Sequence, residues 1–237
     1  MKKEVRDIEF IDSSRAVYQN YPVKLAKEVL PHFAQKQIDT YGQFKFPHCP
    51  GLIDYAQLGY IIPAWVDMHI KANKSGVKGF IGSLERGTHG FREPEPMATD
   101  IVDGVFQPDG VPLCTLKFPS PWKIFSRKDI SALVMPASYH SDFLDDLHVW
   151  PGVVDYGKLH VVNFMCAAKR ECEVHIKVGD PLIHVIPFIN TPMKAGFGPG
   201  TDEQVDSCIN EIPGDDKHFY RKFMRVAKSF KLFKADK

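Results

Sequence analysis

After Val111 the chain runs through a series of short apolar segments separated by proline, glycine or charged residues. The segments are rich in β-branched and aromatic residues, which favour strands over helices. They are Leu113–Phe118, Trp122–Phe125, Ile130–Met135, Gly152–Asp155, Leu159–Phe164, Cys172–Val178 and Leu182–Ile189. Short strands at this spacing are typical of a barrel or a sandwich. The sequence therefore predicts a mostly β fold of short antiparallel strands.

The other parts of the chain are an extension and a C-terminal segment, and we expect one domain over residues 1–237. Residues 1–46 form the N-terminal extension and 47–201 the β core. Segment 213–234 spaces its apolar residues four and three apart, which is one face of an α-helix. We predict an amphipathic helix that packs on the core or a neighbouring subunit. Nucleic acid or a membrane surface is the alternative partner for its basic faces.

Two further segments precede the dense strand region. Val66, Met68 and Ile70 alternate with polar residues, which predicts a half-buried strand. Residues 73–111 are rich in glycine, proline and charge, and predict a long irregular segment with a hairpin near Gly79–Ser83.

Composition limits the classes of partner and compartment. The net charge is +1, so no overall field favours nucleic acid or an acidic surface. No apolar run approaches the roughly 18 residues of a membrane helix, and the N-terminus has no secretory apolar region. The five cysteines form no C-x-x-C pair, which favours free thiols in the cytoplasm. A disulfide or zinc role for Cys166 and Cys172 is the alternative.

Three segments occur in an order found in a known superfamily. They are Val134–Ser138, Pro151–Gly157 with the strand that follows, and Glu173–Ile186, which contains a Gly-Asp turn. The chain here resembles the deoxyuridine-triphosphatase and deoxycytidine-triphosphate-deaminase superfamily. Gly196–Thr201 is similar to the closing arm of that family. The resemblance covers roughly residues 113–201 and implies a β-clip barrel and a homotrimer with sites shared between subunits.

The resemblance also implies roles for individual residues. Asp155 would be the catalytic carboxylate that activates water, with Mg²⁺ neutralising the phosphates of a nucleotide. Ser138 would bind phosphate, and Tyr156 lies near the tyrosine of the family. Phe197 and Gly198 would belong to the arm that closes on the base.

Other positions depart from the pattern of the family. Ala137 replaces an arginine that clamps phosphate, and Tyr139 replaces a glycine. His184 stands in the substrate-binding position where glutamine is usual. These departures favour a non-catalytic or altered-site member, with a nucleotide-binding or pyrophosphohydrolase enzyme using Asp155 as the alternative.

The whole chain also resembles an uncharacterised family from bacteria and their phages. The shared motifs are Gly59–Pro63, Phe118-x-x-Pro121-Trp122, Gly152–Asp155 and Gly179–Leu182. This resemblance implies a location in the host cytoplasm or in a virion, and it implies no activity.

One more pattern suggests a different chemistry. His140 and Asp142 form a His-x-Asp pair, and His184 and Lys194 follow downstream. This resembles the two-histidine, one-carboxylate iron site of 2-oxoglutarate oxygenases, with Lys194 as the anchor for the co-substrate. The alternative is that Tyr139–His148 is an exposed loop, since the segment is acidic.

Overall fold

A computed structural model of the protein describes residues 6–29, 31, 50–82, 91–92, 95–96, 107–191 and 201. Several predictions concern other residues and lie outside this described part of the chain. They are the C-terminal helix at 213–234, the arm residues Phe197 and Gly198, and Lys194.

Strands dominate the described residues. The strands are β1 (Ile8–Asp12), β2 (Lys24–Leu25), β3 (Tyr60–Pro63), β4 (Met68–Asn73), β5 (Gly76–Gly82), β6 (Phe91–Arg92), β7 (Glu95–Pro96), β8 (Thr115–Ser126), β9 (Ile130–Pro136), β10 (Leu147–Val149), β11 (Gly152–Val154), β12 (Val161–Ala168), β13 (Cys172–Ile176) and β14 (Pro181–Ile189). One α-helix, α1 (Pro50–Gln57), and 3-10 turns at Ala26–Glu28 and Phe143–Asp145 complete the set. The predicted mostly β, antiparallel fold is therefore confirmed.

The strands form three antiparallel sheets. The first sheet has the order β1-β8-β12-β10, with β7 also paired to β8. The second has the order β11-β9-β14-β3-β2, and the third the order β13-β4-β5-β6. No sheet in the described residues closes on itself, so the predicted barrel is not seen there. In the described residues, each sheet is open and contributes side chains to a shared core.

One hydrophobic core joins the three sheets. The first sheet contributes Phe118 and Trp122, the second contributes Val185, and the third contributes Ile70 and Ile176. All five side chains are almost fully buried. In the third sheet, buried and outward residues alternate along β4 and β13. In the second sheet, all residues of β14 from Leu182 to Ile186 are buried, so both faces of this strand are covered.

The long strand β8 corrects the prediction of two separate strands. Pro119 and Pro121 lack a backbone N–H, and we expected them to end the first strand. The strand continues through both prolines with one local bond and one bond to a distant residue beside them. The Ser120 hydroxyl accepts the Trp122 N–H at 3.0 Å, and the Pro121 carbonyl accepts the Ser13 N–H at 3.0 Å.

Two predictions of irregular structure are corrected where the structure describes the residues concerned. The predicted hairpin near Gly79–Ser83 is corrected, because Gly79 to Gly82 belong to strand β5 and the described turn lies earlier. The Asn73 side-chain oxygen accepts the N–H groups of Ser75 and Gly76, which closes the β4–β5 turn. The predicted exposed loop at Tyr139–His148 is also wrong, because Leu147 lies in the core.

The turn between β13 and β14 sets the position of β13. Gly179 has a φ of +92°, and its N–H donates to the Ala64 carbonyl at 2.8 Å. The Asp180 carboxylate accepts the Lys177 N–H at 2.8 Å, which closes the turn. The Asp67 carboxylate accepts the Val178 N–H at 2.8 Å, which ties this turn to the start of β4. The expected Gly-Asp turn is therefore present and aligns β13 with β4.

Each helix among the described residues is too short or too polar to cross a lipid bilayer.

Gly59 lies where the backbone at the start of β3 comes close to the backbone of β14. Its φ is +74°, and a Cβ there would lie 2.2 Å from the Val185 carbonyl oxygen. Gly110 has a similar φ of +70°, but a Cβ there would meet no atom of the described chain within 4 Å. Gly110→Ala should cost about 1–2 kcal/mol of unfolding free energy through the backbone alone.

Gly59→Ala should cost at least about 2 kcal/mol more than Gly110→Ala, because the backbones must also separate. Urea denaturation of the two variants measures the difference. Equal losses of stability would show that β3 and β14 do not approach this closely.

Candidate functional site

Asp155 lies in the turn after β11 and is bound by its own neighbours. Its Oδ2 pairs with the Lys158 ammonium at 2.8 Å, and its Oδ1 accepts the Gly157 N–H at 3.0 Å. The Lys158 bond holds the pKa of the Asp155 carboxyl below its usual range. Within one chain, this carboxylate therefore serves the turn and is a weak base for activating water.

Tyr156 packs in the core and does not face a ligand. Only 1% of its surface is exposed, and burial raises the pKa of its hydroxyl. Within one chain the Tyr156 side chain is therefore covered, and its expected role in substrate binding stays a prediction.

Ser138 and Asp155 lie at opposite ends of β9. Strand β11 pairs with β9 so that Val154 is opposite Ala132, whereas Ser138 lies beyond the other end of the strand at Pro136. The length of β9 between them is roughly 15–20 Å. A site that uses both residues therefore requires two chains.

Ser138 instead lies beside a buried histidine pair, His140 and His184. Their ring centroids are 6.2 Å apart, and 7% of His140 and none of His184 is exposed. His184 Nε2 contacts the Leu58 carbonyl, so this nitrogen carries the hydrogen. His184 Nδ1 and both nitrogens of His140 are buried without a hydrogen-bond partner.

This environment keeps both rings neutral. Burial and the neighbouring His184 lower the pKa of His140 to about 4, although the Val29 carbonyl opposes the shift. That carbonyl does not reach either His140 nitrogen with hydrogen-bond geometry. Burial also lowers the pKa of His184.

Tyr55 of α1 covers the histidine pair. Its ring lies 5.0 Å from that of His184 and 5.4 Å from that of Tyr139, in both cases edge to face. Its hydroxyl donates to the Met135 sulfur at 3.3 Å. Burial raises the pKa of this hydroxyl, against an opposing contact from Ser138. The cluster is a packed region of aromatic rings that excludes charge.

The alternative iron site is not assembled. His140 and His184 are neighbours, but Asp142 begins the 3-10 turn Phe143–Asp145 and does not join them as a third ligand. The predicted set of His140, Asp142 and His184 therefore lacks its carboxylate in this structure.

A different set of metal ligands occurs on the third sheet. His69, Glu173 and His175 each offer one ligand atom, and these atoms lie within 4.8 Å of one another. We call these three residues the sheet-face triad. In the described part of the chain, no other group of three histidine, cysteine or acidic side chains comes this close.

Strand register produces the triad. β4 and β13 are antiparallel, and His69 is directly opposite His175. Their rings stack with centroids 4.0 Å apart and an interplanar angle of 17°. Glu173 is two residues from His175 on the same face, and its Oε1 lies 2.9 Å from His69 Nε2 and 3.7 Å from His175 Nε2.

Charges near the triad keep its carboxylate ionised. Lys71 is opposite Glu173 in the ladder, and its ammonium lies 3.7 Å from Glu173 Oε2. This charge and the hydrogen bond from His69 hold the pKa of the Glu173 carboxyl below its usual range. An ionised carboxylate and two imidazoles are a suitable ligand set for a divalent transition metal.

A cavity lies next to the triad on the same outer face. It has a volume of about 300 Å³ and is formed by the β4–β5 hairpin. Among the described residues, its lining consists of Lys71, Asn73, Ser75, Gly76, Lys78 and Phe80. Phe80 is opposite His69 in the ladder, so one residue contacts both the triad and the cavity.

No family model matches this chain, and no curated protein matches it. The superfamily resemblance noted above therefore stays a prediction.

The sequence analysis missed the triad, although a signal was present. Glu173 and His175 alternate with apolar residues in a segment predicted to be a strand, and this alternation places both on one face. His69 alternates in the same way in the strand predicted around Met68. The sequence pattern does not predict that these two strands pair with each other.

Acid should destabilise the protein through His140. The folded state keeps this ring neutral down to about pH 4, whereas the unfolded chain takes up the proton near pH 6.5. The unfolded state binds more protons in this window, so stability falls as the pH falls through it, by roughly 3 kcal/mol for this residue. Urea denaturation at pH 7 and pH 4.5 measures this loss.

His140→Phe should lose less stability on acidification than the wild type, because the titrating group is gone. His175→Gln, measured with a chelator, is the control at an exposed position and should keep the wild-type loss. Equal acid sensitivity in His140→Phe and the wild type would contradict the assignment.

Proposed function

We propose that the protein binds a divalent transition-metal ion at the sheet-face triad. The observation that carries this proposal is the convergence of two imidazoles and one ionised carboxylate, within 4.8 Å of one another, on one face of the sheet. Two histidines and one carboxylate are a ligand set that leaves further coordination positions open.

The spacing of the triad fits a small first-row ion. Zinc binds histidine nitrogen and carboxylate oxygen at about 2.0–2.2 Å, so its tetrahedral ligands lie about 3.3 Å from one another. The separations of Glu173 Oε1 from the two imidazole nitrogens, 2.9 and 3.7 Å, lie on either side of this value. Mg²⁺ prefers oxygen ligands and octahedral geometry, so it fits this set poorly.

The strands below the triad hold its ligands in position. Ile70 is fully buried, and Val174 and Ile176 also pack into the core. Ligands on paired strands move less than ligands on a loop, which favours a preformed site. The outward side chains remain accessible, since 26% of the His69 side chain and 63% of the His175 side chain are exposed.

The open positions determine what a bound ion would do. Water or an oxygen-bearing ligand can occupy them, and the ion then polarises that oxygen as a Lewis acid. The imidazoles must be deprotonated to bind the ion, so affinity should fall as the pH is lowered.

Calorimetric titration with Zn²⁺ and Mg²⁺ tests the proposal. The chain should bind one Zn²⁺ at the triad, and Mg²⁺ should not compete. Glu173→Gln should weaken Zn²⁺ affinity at least about tenfold, because it removes a charged ligand.

Glu171→Gln is the matched control. The Glu171 side chain is 52% exposed and the Glu173 side chain 50%, and Glu171 pairs with Lys74 outside the triad. Its Zn²⁺ affinity should stay within about twofold of the wild type. Equal effects of the two substitutions would show that the ion binds by general charge attraction, and the proposal would fail.

The superfamily resemblance supports a separate proposal, which is a nucleotide site shared between subunits of a β-clip homotrimer. Because β9 separates Ser138 from Asp155, this proposal requires self-association. Light scattering of the full chain and a thermal-shift panel of deoxynucleotides with Mg²⁺ test it. A monomer that no nucleotide stabilises would leave the altered-site, non-catalytic alternative.

A further inference from the structure

The outer face of the third sheet concentrates positive charge beside the triad. Lys71 and Lys78 are directly opposite each other in the β4–β5 ladder, and both line the cavity. Like charges placed opposite each other destabilise a strand pair unless another group neutralises them. Lys71 reaches Glu173, whereas Lys78 makes no ion pair with any residue that the structure describes.

Metal binding would increase this charge. The ion would take the Glu173 carboxylate as a ligand, and that carboxylate now offsets the charge of Lys71. Two lysines and a divalent ion would then face a single carboxylate. An anion entering the cavity would restore the balance.

The volume of the cavity and its distance from the triad fit a small ligand. His69 and Lys71 are successive outward residues of β4, so the triad and the near edge of the cavity are separated by about 6–7 Å. The cavity volume of about 300 Å³ is at the lower end of the range for small-molecule sites. The Asn73 side-chain oxygen accepts two bonds of the hairpin turn, and the charged groups in the described lining are the ammonium groups of Lys71 and Lys78.

We infer that this cavity binds a small carboxylate or phosphate anion that contacts Lys71 and Lys78 and ligates the metal ion at the triad. The inference rests on the proposed metal site and adds the chemical class of its ligand. Phe80 lies between the two parts and supplies an apolar wall for the body of the ligand.

Co²⁺ in place of Zn²⁺ gives an optical test on the full chain. Its visible absorption depends on its ligands, and it accepts the same kind of ligand set. The probes are inorganic phosphate and malonate, which distinguish a phosphate ligand from a carboxylate ligand. The expected result is that at least one probe changes the absorption of the bound Co²⁺ and saturates.

Lys78→Gln should weaken the binding of that probe about tenfold, because it removes a charge-assisted hydrogen bond, and should leave Co²⁺ affinity unchanged. Lys74→Gln is the control, since Lys74 lies at the exposed tip of the same hairpin, outside the cavity lining. It should change the affinity for the probe less than about twofold.

The possible failures are distinct. If Co²⁺ does not bind, the proposed metal site is wrong and the inference falls with it. If Co²⁺ binds but neither probe alters its absorption, the metal site stands and the anion inference is overturned. Equal losses in Lys78→Gln and Lys74→Gln would also overturn it, because general charge attraction would then explain the binding.

Discussion

The antiparallel ladder between β4 and β13 pairs His69 with His175, and this register depends on the burial of the residues between them. Ile70 and Val174 are opposite each other and point into the core that all three sheets share. A slip of one residue would exchange the faces, exposing the apolar side chains and burying the histidines. The geometry of the metal-ligand set is therefore a consequence of core packing, and the Gly179–Asp180 turn reinforces it.

The protein holds two histidine pairs in opposite environments. His140 and His184 lie among aromatic rings, and burial keeps both imidazoles neutral. Among the described residues, no carboxylate joins them as a metal ligand. His69 and His175 lie on an open face, where Glu173 and Lys71 surround them with charge. A metal ion needs charge compensation and open coordination positions, so only the second pair is suited to bind one. The first pair is a source of acid sensitivity, because its polar atoms were buried without partners.

Several parts of the fold were predictable because they depend on local patterns. Alternation around Met68 predicted β4, and the Gly-Asp sequence predicted the turn after β13. Errors arose where bonds to distant residues compensated for a local signal. Pro119 and Pro121 would end an isolated strand, but Ser13 donates to the Pro121 carbonyl from 108 residues away. A different error was local: the Asn73 side chain closes a turn onto the next residues, in a region whose composition predicted irregular structure.

The sequence by itself determined which residues share a face of each strand, since side chains alternate with a period of two. The alternation therefore placed Glu173 and His175 on one face of the strand that is β13, and it placed His69 on one face of the strand that is β4. Only the tertiary structure decided that β4 and β13 are neighbours and that Ser138 and Asp155 are not. The physical reason is that strand pairing joins residues far apart in the chain, and the shared core selects the pairing through the burial of many side chains at once.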